Sequence, residues 1–89
     1  MPTLRILVKG KVQHVFFRAT AQEAAAEYGV KGLVRNTEEG DVELVATGTE
    51  AQLKAFVDWC RKGPRRAVVD EVKVEPRAEE HFSSFKVIR

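Results

Sequence analysis

The sequence predicts a ferredoxin-like α/β sandwich, an α+β fold in which an antiparallel sheet carries two helices on one face. Three observations lead there. Strand-like runs and helical patterns follow one another as βαββαβ, with a further short strand-like run at the C-terminus. Both helical patterns lie between strand-like runs, and right-handed crossovers then put both helices on the same side of the sheet. The 89 residues contain no repeat, linker or low-complexity tract, and a chain of this size is near the point where one core suffices without staples. A single domain over residues 1–89 is expected.

Each element has its own local signal. In LRILVK (Leu4 to Lys9), Leu4, Ile6 and Val8 alternate with Arg5, Leu7 and Lys9, the period of a strand with one buried face. ATAQEAAAEY (Ala19 to Tyr28) places Ala21, Ala24, Ala25 and Tyr28 at helical spacing, and Gly29 supplies a C-terminal cap. VKGLVRN (Val30 to Asn36) and DVELVAT (Asp41 to Thr47) flank TEEG, a hairpin turn with Gly40 where φ must be positive. Thr49 caps a second helix that puts Leu53, Phe56, Val57 and Cys60 on one face and closes at Gly63 and Pro64. AVVDEVKVE (Ala67 to Glu75) and FSSFKVIR (Phe82 to Arg89) are the last two strands, joined by the polar loop EPRAEEH.

Composition narrows the function classes. A net charge of +2 gives no broad basic field for nucleic acid. The only cysteine, Cys60, excludes an intramolecular disulfide and a cysteine-based zinc cluster, and fits a reducing compartment. No apolar run approaches the roughly 20 residues of a membrane span, and the N-terminus has no signal-peptide pattern. A cytoplasmic location without membrane association is expected.

Chemistry concentrates in GKVQHVFFR, Gly10 to Arg18, between the first strand and the first helix. Unpaired N–H groups at a helix start, together with a turn whose amides point inward, form an anion-binding nest. Gly10 permits a sharp bend, and Arg18 adds a planar, permanently charged fork suited to two phosphate oxygens. The same residues also read as a strand end at Gly10, core contacts from Val12, Val15 and Phe17, and a solvated Arg18. For Asn36 the alternatives are a turn residue bonding its own backbone or, because strand alternation sets it on the same side as Val34, a polar group facing the start of the first helix.

GKVQHVFFR resembles the GxVQGVxFR signature of acylphosphatases. KGLVRNTEEGDVELVATG (Lys31 to Gly48) is similar to that family's second block, in which a VRN triplet precedes a glycine turn and a VE pair, and KGPRRAVVDEVKV (Lys62 to Val74) is similar to its GP segment before the fourth strand. The resemblance spans almost the whole chain. It implies hydrolysis of acyl phosphates, with a phosphate-cradling loop made by Val12, Gln13, His14, Val15, Phe16, Phe17 and Arg18, with Arg18 as phosphate binder and Asn36 as the residue that positions water. No cofactor or metal is implied, and a monomer is expected. His14 departs from the signature, standing where the family usually has glycine. If that position needs positive φ, histidine is among the less unfavourable replacements, and a structural role for His14 is expected ahead of acid/base catalysis.

The residues suit that activity on their own terms. An acyl phosphate releases a carboxylate whose conjugate acid has a pKa of roughly 4, so the leaving group needs no general acid. Phosphoryl transfer then needs charge neutralisation and an aligned water, with no covalent nucleophile. Neither a GxxxxGK[ST] loop nor a close carboxylate cluster for two metals is present. The rival class is a non-catalytic ferredoxin-like ligand-binding or regulatory module. An RNA-recognition domain would carry base-stacking aromatics on its central strands, and LRILVK and DVELVAT have none. Arg35, Arg65, Arg66 and His81 are expected at the surface, Cys60 in or beside the core and Trp59 packed next to it.

Overall fold

The alternation in the first strand-like run has the expected effect: Ile6 and Val8 are fully buried while Arg5 and Lys9 stay at the surface of the opposite face. The computed structural model describes residues 1–89. Its elements are β1 (Thr3–Lys11), α1 (Phe17–Tyr28), β2 (Lys31–Asn36), β3 (Val42–Thr47), α2 (Glu50–Lys62), β4 (Val68–Arg77) and β5 (Phe85–Ile88). They form one sheet in the order β4-β1-β3-β2-β5. The β1–β3, β1–β4 and β2–β3 pairs are antiparallel, whereas β5 runs parallel to β2, so the sheet is mixed at that edge. The cause is the β4–β5 connection, which carries the chain from one edge of the sheet to the other. Glu80 ties it down midway, its N–H donating to Thr3 Oγ1 at 3.0 Å and its carbonyl accepting from Thr47 Oγ1 at 3.0 Å.

Both helices lie on one face and share a core with it. Register sets Ile6 beside Leu44, Val8 beside Val42 and Val34 beside Leu44, and all five are fully buried. The alanines of α1 (Ala21, Ala24, Ala25) bring that helix close to the sheet, as small side chains allow. From α2, Leu53, Phe56, Val57 and Cys60 complete the core. Gly29 is left-handed at φ 74° and closes α1 with its N–H on the Ala25 carbonyl. On the outer face Glu43 accepts hydrogen bonds from Arg5 and Arg35, joining β1, β3 and β2. Burial opposes its charge, but these guanidiniums outweigh that cost and hold its carboxyl below the usual range. Stability from this cluster is therefore present above the ordinary glutamate pKa and lost as pH falls through the lowered one.

Two boundaries differ from the sequence reading in ways that matter for the loop. β1 continues to Lys11, so Gly10 lies inside the strand at a bulge against β4 and does not end it. Close approach explains the glycine: its φ is 132°, and a Cβ there would come within 2.2 Å of the Val68 carbonyl oxygen. Likewise α1 begins at Phe17, two residues ahead of the expected start, which puts Arg18 in the first helical turn.

Candidate active site

The loop from Val12 to Phe16 is held by three buried side chains. Val12 and Val15 are buried, and Phe17, only 2% exposed, anchors the start of α1 by packing edge-on against Trp59 of α2 at a centroid distance of 5.4 Å. Between these anchors the backbone turns left-handed twice, at His14 (φ 62°) and at Phe16 (φ 63°). The positive φ expected for His14 is present, and its imidazole is exposed. The second left-handed residue, Phe16, carried no sequence signal, because a bulky aromatic rarely takes that conformation.

None of the backbone N–H groups of residues 12–16 donates to a backbone carbonyl. Phe16 is the N-cap of α1 without a side-chain cap, and the first turn has no acidic residue. A run of unpaired amides thus meets the positive end of a helix dipole, an arrangement that favours an anion. Arg18 adds the one full positive charge in that first turn. Its Nη1 donates to the Ile88 carbonyl at 3.0 Å, which holds the guanidinium against β5.

Asn36 reaches the same place from the end of β2. It pairs in register with Val42, on the side of the sheet that carries the helices. The adjoining turn is closed by its neighbour Thr37, whose N–H and carbonyl bond Asp41 and Gly40 and whose hydroxyl accepts from the Asp41 N–H. Gln13 joins loop and turn: its Nε2 donates to the carbonyls of Thr37 and Asp41, both at 2.8 Å. The sequence reading assigned only the Gln13 amide, and this anchoring role of its side chain depends on a contact across the fold. Lys9 pairs with Asp41 at 2.8 Å and braces the same turn.

Arg18 and Asn36 line one open cleft of ≈ 390 Å³, together with Val12, His14, Phe16 and Phe17. The wall is completed by Ala19, Val87 and Arg89, which the sequence reading did not single out. Only the position of β5 beside β2 brings Val87 and Arg89 there. A second hollow, of ≈ 430 Å³, lies at the other end of β2, where Lys31, Thr47, Glu79 and His81 stand, and holds none of these loop residues. Elsewhere the surface assignments stand: Arg35, Arg65, Arg66 and His81 are exposed, and Arg35 is paired with Glu43. Cys60 is fully buried, and burial pushes its thiol well above the ordinary value, so it is inert.

Comparison with known proteins agrees with this layout. The acylphosphatase family model matches residues 4–87. An acylphosphatase of Marinobacter nauticus is 50% identical over 82 residues, covering 91% of this chain and 89% of that protein. Among solved structures, an acylphosphatase from Bacillus subtilis aligns with a TM-score of 0.96 at 32% identity, covering 100% of both chains. One from Coxiella burnetii gives a TM-score of 0.94 at 38% identity, covering 98% of this chain and 92% of that one. No helix here is long and apolar enough to cross a membrane. With sequence similarity and topology in agreement over nearly the full length, the chain belongs to the acylphosphatase family of hydrolases.

Proposed function

We propose that the cleft hydrolyses acyl phosphates to a carboxylate and orthophosphate by direct attack of water on phosphorus. The phosphoryl oxygens are held by Arg18 and by the amides of Val12, Gln13, His14, Val15, Phe16, Phe17 and Arg18. The Asn36 side-chain amide orients the water in line with the leaving oxygen. As the water oxygen bonds to phosphorus, the bond from phosphorus to the acyl oxygen breaks and its electron pair leaves with the carboxylate. The water protons pass to the phosphate product and to solvent. Positive charge fixed around the equatorial oxygens stabilises the transition state, and the weakly basic leaving group needs no acid.

The observation that carries this reading is that Arg18 and Asn36, from different elements, line one cleft with Val12, His14, Phe16 and Phe17 of the loop, whose amides at residues 12–16 donate to no backbone carbonyl; Gln13 and Val15 are not among the lining residues. Action without a metal or other cofactor is part of the proposal. The exposed, left-handed His14 is assigned to loop shape and not to proton transfer. A monomer working in the cytoplasm completes the proposal; the single, unpaired cysteine fits a reducing compartment. The test is hydrolysis of benzoyl phosphate against p-nitrophenyl phosphate in excess EDTA. Fast, chelator-insensitive turnover of the acyl phosphate alone is expected. Preference for the monoester, or loss of activity with EDTA, would overturn the mechanism, and tight phosphate binding without hydrolysis would make the chain a binding module.

A further inference from the structure

Phe16 is in a conformation that a bulky side chain avoids, with φ 63° and ψ 24°, and the residue is 73% exposed, more than any other large apolar residue of the protein. Its neighbours Val15 and Phe17 are buried. The strained backbone is pinned, because the Phe16 carbonyl accepts from both the N–H and the hydroxyl of Thr20, at 3.0 and 2.8 Å. A scattered exposed phenylalanine needs no explanation and is too small for a protein partner. Here, however, strain, fixation and exposure coincide on the wall of the substrate cleft.

We infer that Phe16 is a specificity-determining residue, its ring serving as the platform for the acyl group of the substrate. The inference rests on the phosphate-cradle reading above. In-line transfer sets the leaving carboxylate opposite the attacking water, so the acyl group extends along the cleft away from Asn36. The apolar residues of the cleft left accessible to it are Phe16, Ala19 and Val87, since Val12 and Phe17 are buried. A flat, half-open surface of this kind favours an aromatic acyl group, through area removed from water and offset or edge-on ring contact. A two-carbon acyl group covers little of it. The substrate class is therefore aromatic acyl phosphates, preferred over short-chain ones by about five- to tenfold.

Two measurements test this. The first is binding of phenacylphosphonate against acetonylphosphonate, in which CH₂ replaces the bridging oxygen of benzoyl and acetyl phosphate so that neither is hydrolysed. The second is the ratio of kcat/KM for benzoyl over acetyl phosphate. Wild type should favour the aromatic member about five- to tenfold in both, and Phe16→Gly should bring both ratios close to one. Glycine suits the positive φ, so this variant keeps the fold, and each ratio cancels any change in the cradle common to both ligands. Phe16→Trp should retain the preference. A wild-type binding ratio near one, or an undiminished ratio in Phe16→Gly, would overturn the role of the ring. Absence of turnover with an intact binding ratio would instead sink the proposed hydrolysis and leave the platform standing, whereas binding of neither phosphonate would sink both.

Discussion

At the start of α2, the Thr49 hydroxyl accepts the Gln52 N–H at 3.1 Å and the Gln52 side chain accepts the Thr49 N–H at 2.8 Å, while Glu50 stands in the first turn. At the start of α1 there is no side-chain cap and no acidic residue, the N-cap is a left-handed phenylalanine, and an arginine occupies the first turn. The C-termini differ in the same sense, with Arg61 and Lys62 in the last turn of α2 and no basic residue in that of α1. So α2 satisfies its own orphan donors and its dipole, whereas α1 leaves its N-terminal amides for something else to satisfy. The uncapped start of α1, with an arginine in its first turn, is where a functional anion site would break the local rules, in line with the proposed cradle. What keeps α1 in place is tertiary: Phe17 against Trp59, and Gln22 Nε2 on the Phe85 carbonyl at 2.9 Å.

If this contrast is right, substitutions at four positions should separate activity from stability. The largest effect is expected from Arg18→Ala, which should lower kcat/KM by at least about 10²–10³-fold and weaken inhibition by phosphate, with the melting temperature little changed. Arg18→Lys should recover little, since a point charge does not reproduce the fork. Asn36→Ala should lower kcat by about 10²-fold while phosphate inhibition stays near wild type, because water positioning matters mainly in the transition state. Steady-state kinetics with phosphate as inhibitor reads both, and wild-type kcat/KM in either variant removes that residue from the mechanism.

Ala19→Glu makes α1 resemble α2. An acid in the first turn should raise stability by about 0.3–1 kcal/mol through the helix dipole, while repulsion should weaken phosphate inhibition about tenfold. Thermal unfolding and inhibition constants measured on one preparation decide it, and tighter phosphate binding would break the comparison. The smallest effect is expected from Thr49→Ala, a loss of about 1 kcal/mol from the removed cap. Urea unfolding should register that loss with kinetics unchanged at a temperature where the variant is folded. A fall in kcat there would show that the two helix ends are not independent.

Element types were legible in the chain because their causes are local. Alternation in LRILVK, the strands flanking TEEG, the alanine spacing of α1, the Thr49 cap, the Gly29 cap and Gly40 at positive φ act over a few residues and appear in the fold as read. The alternation that set Asn36 on the same side as Val34 is local in the same way. Boundaries at the loop were less legible, since Gly10 answers to the backbone of β4 and the start of α1 to a phenylalanine packed on α2.

By itself, then, the sequence determined the order of strands and helices, the caps at Gly29 and Thr49, the buried faces of the first strand and of the helices, and the two motif residues, Arg18 and Asn36, that line one cleft. Tertiary structure alone decided which strand lies beside which. The β4–β5 connection crosses the sheet, β5 pairs parallel with β2, and that edge brings Val87, Arg89 and the Ile88 carbonyl to Arg18. The clasp of Gln13 on the β2–β3 turn and the exposure of Phe16 at the cleft are decided at the same level. The physical reason is range: periodicity and capping are set by neighbours a few residues apart, whereas the walls of the cleft are set by pairings between segments far apart in the chain, such as Arg18 and Ile88, 70 positions apart, and no local pattern encodes which distant edge will be free to receive them.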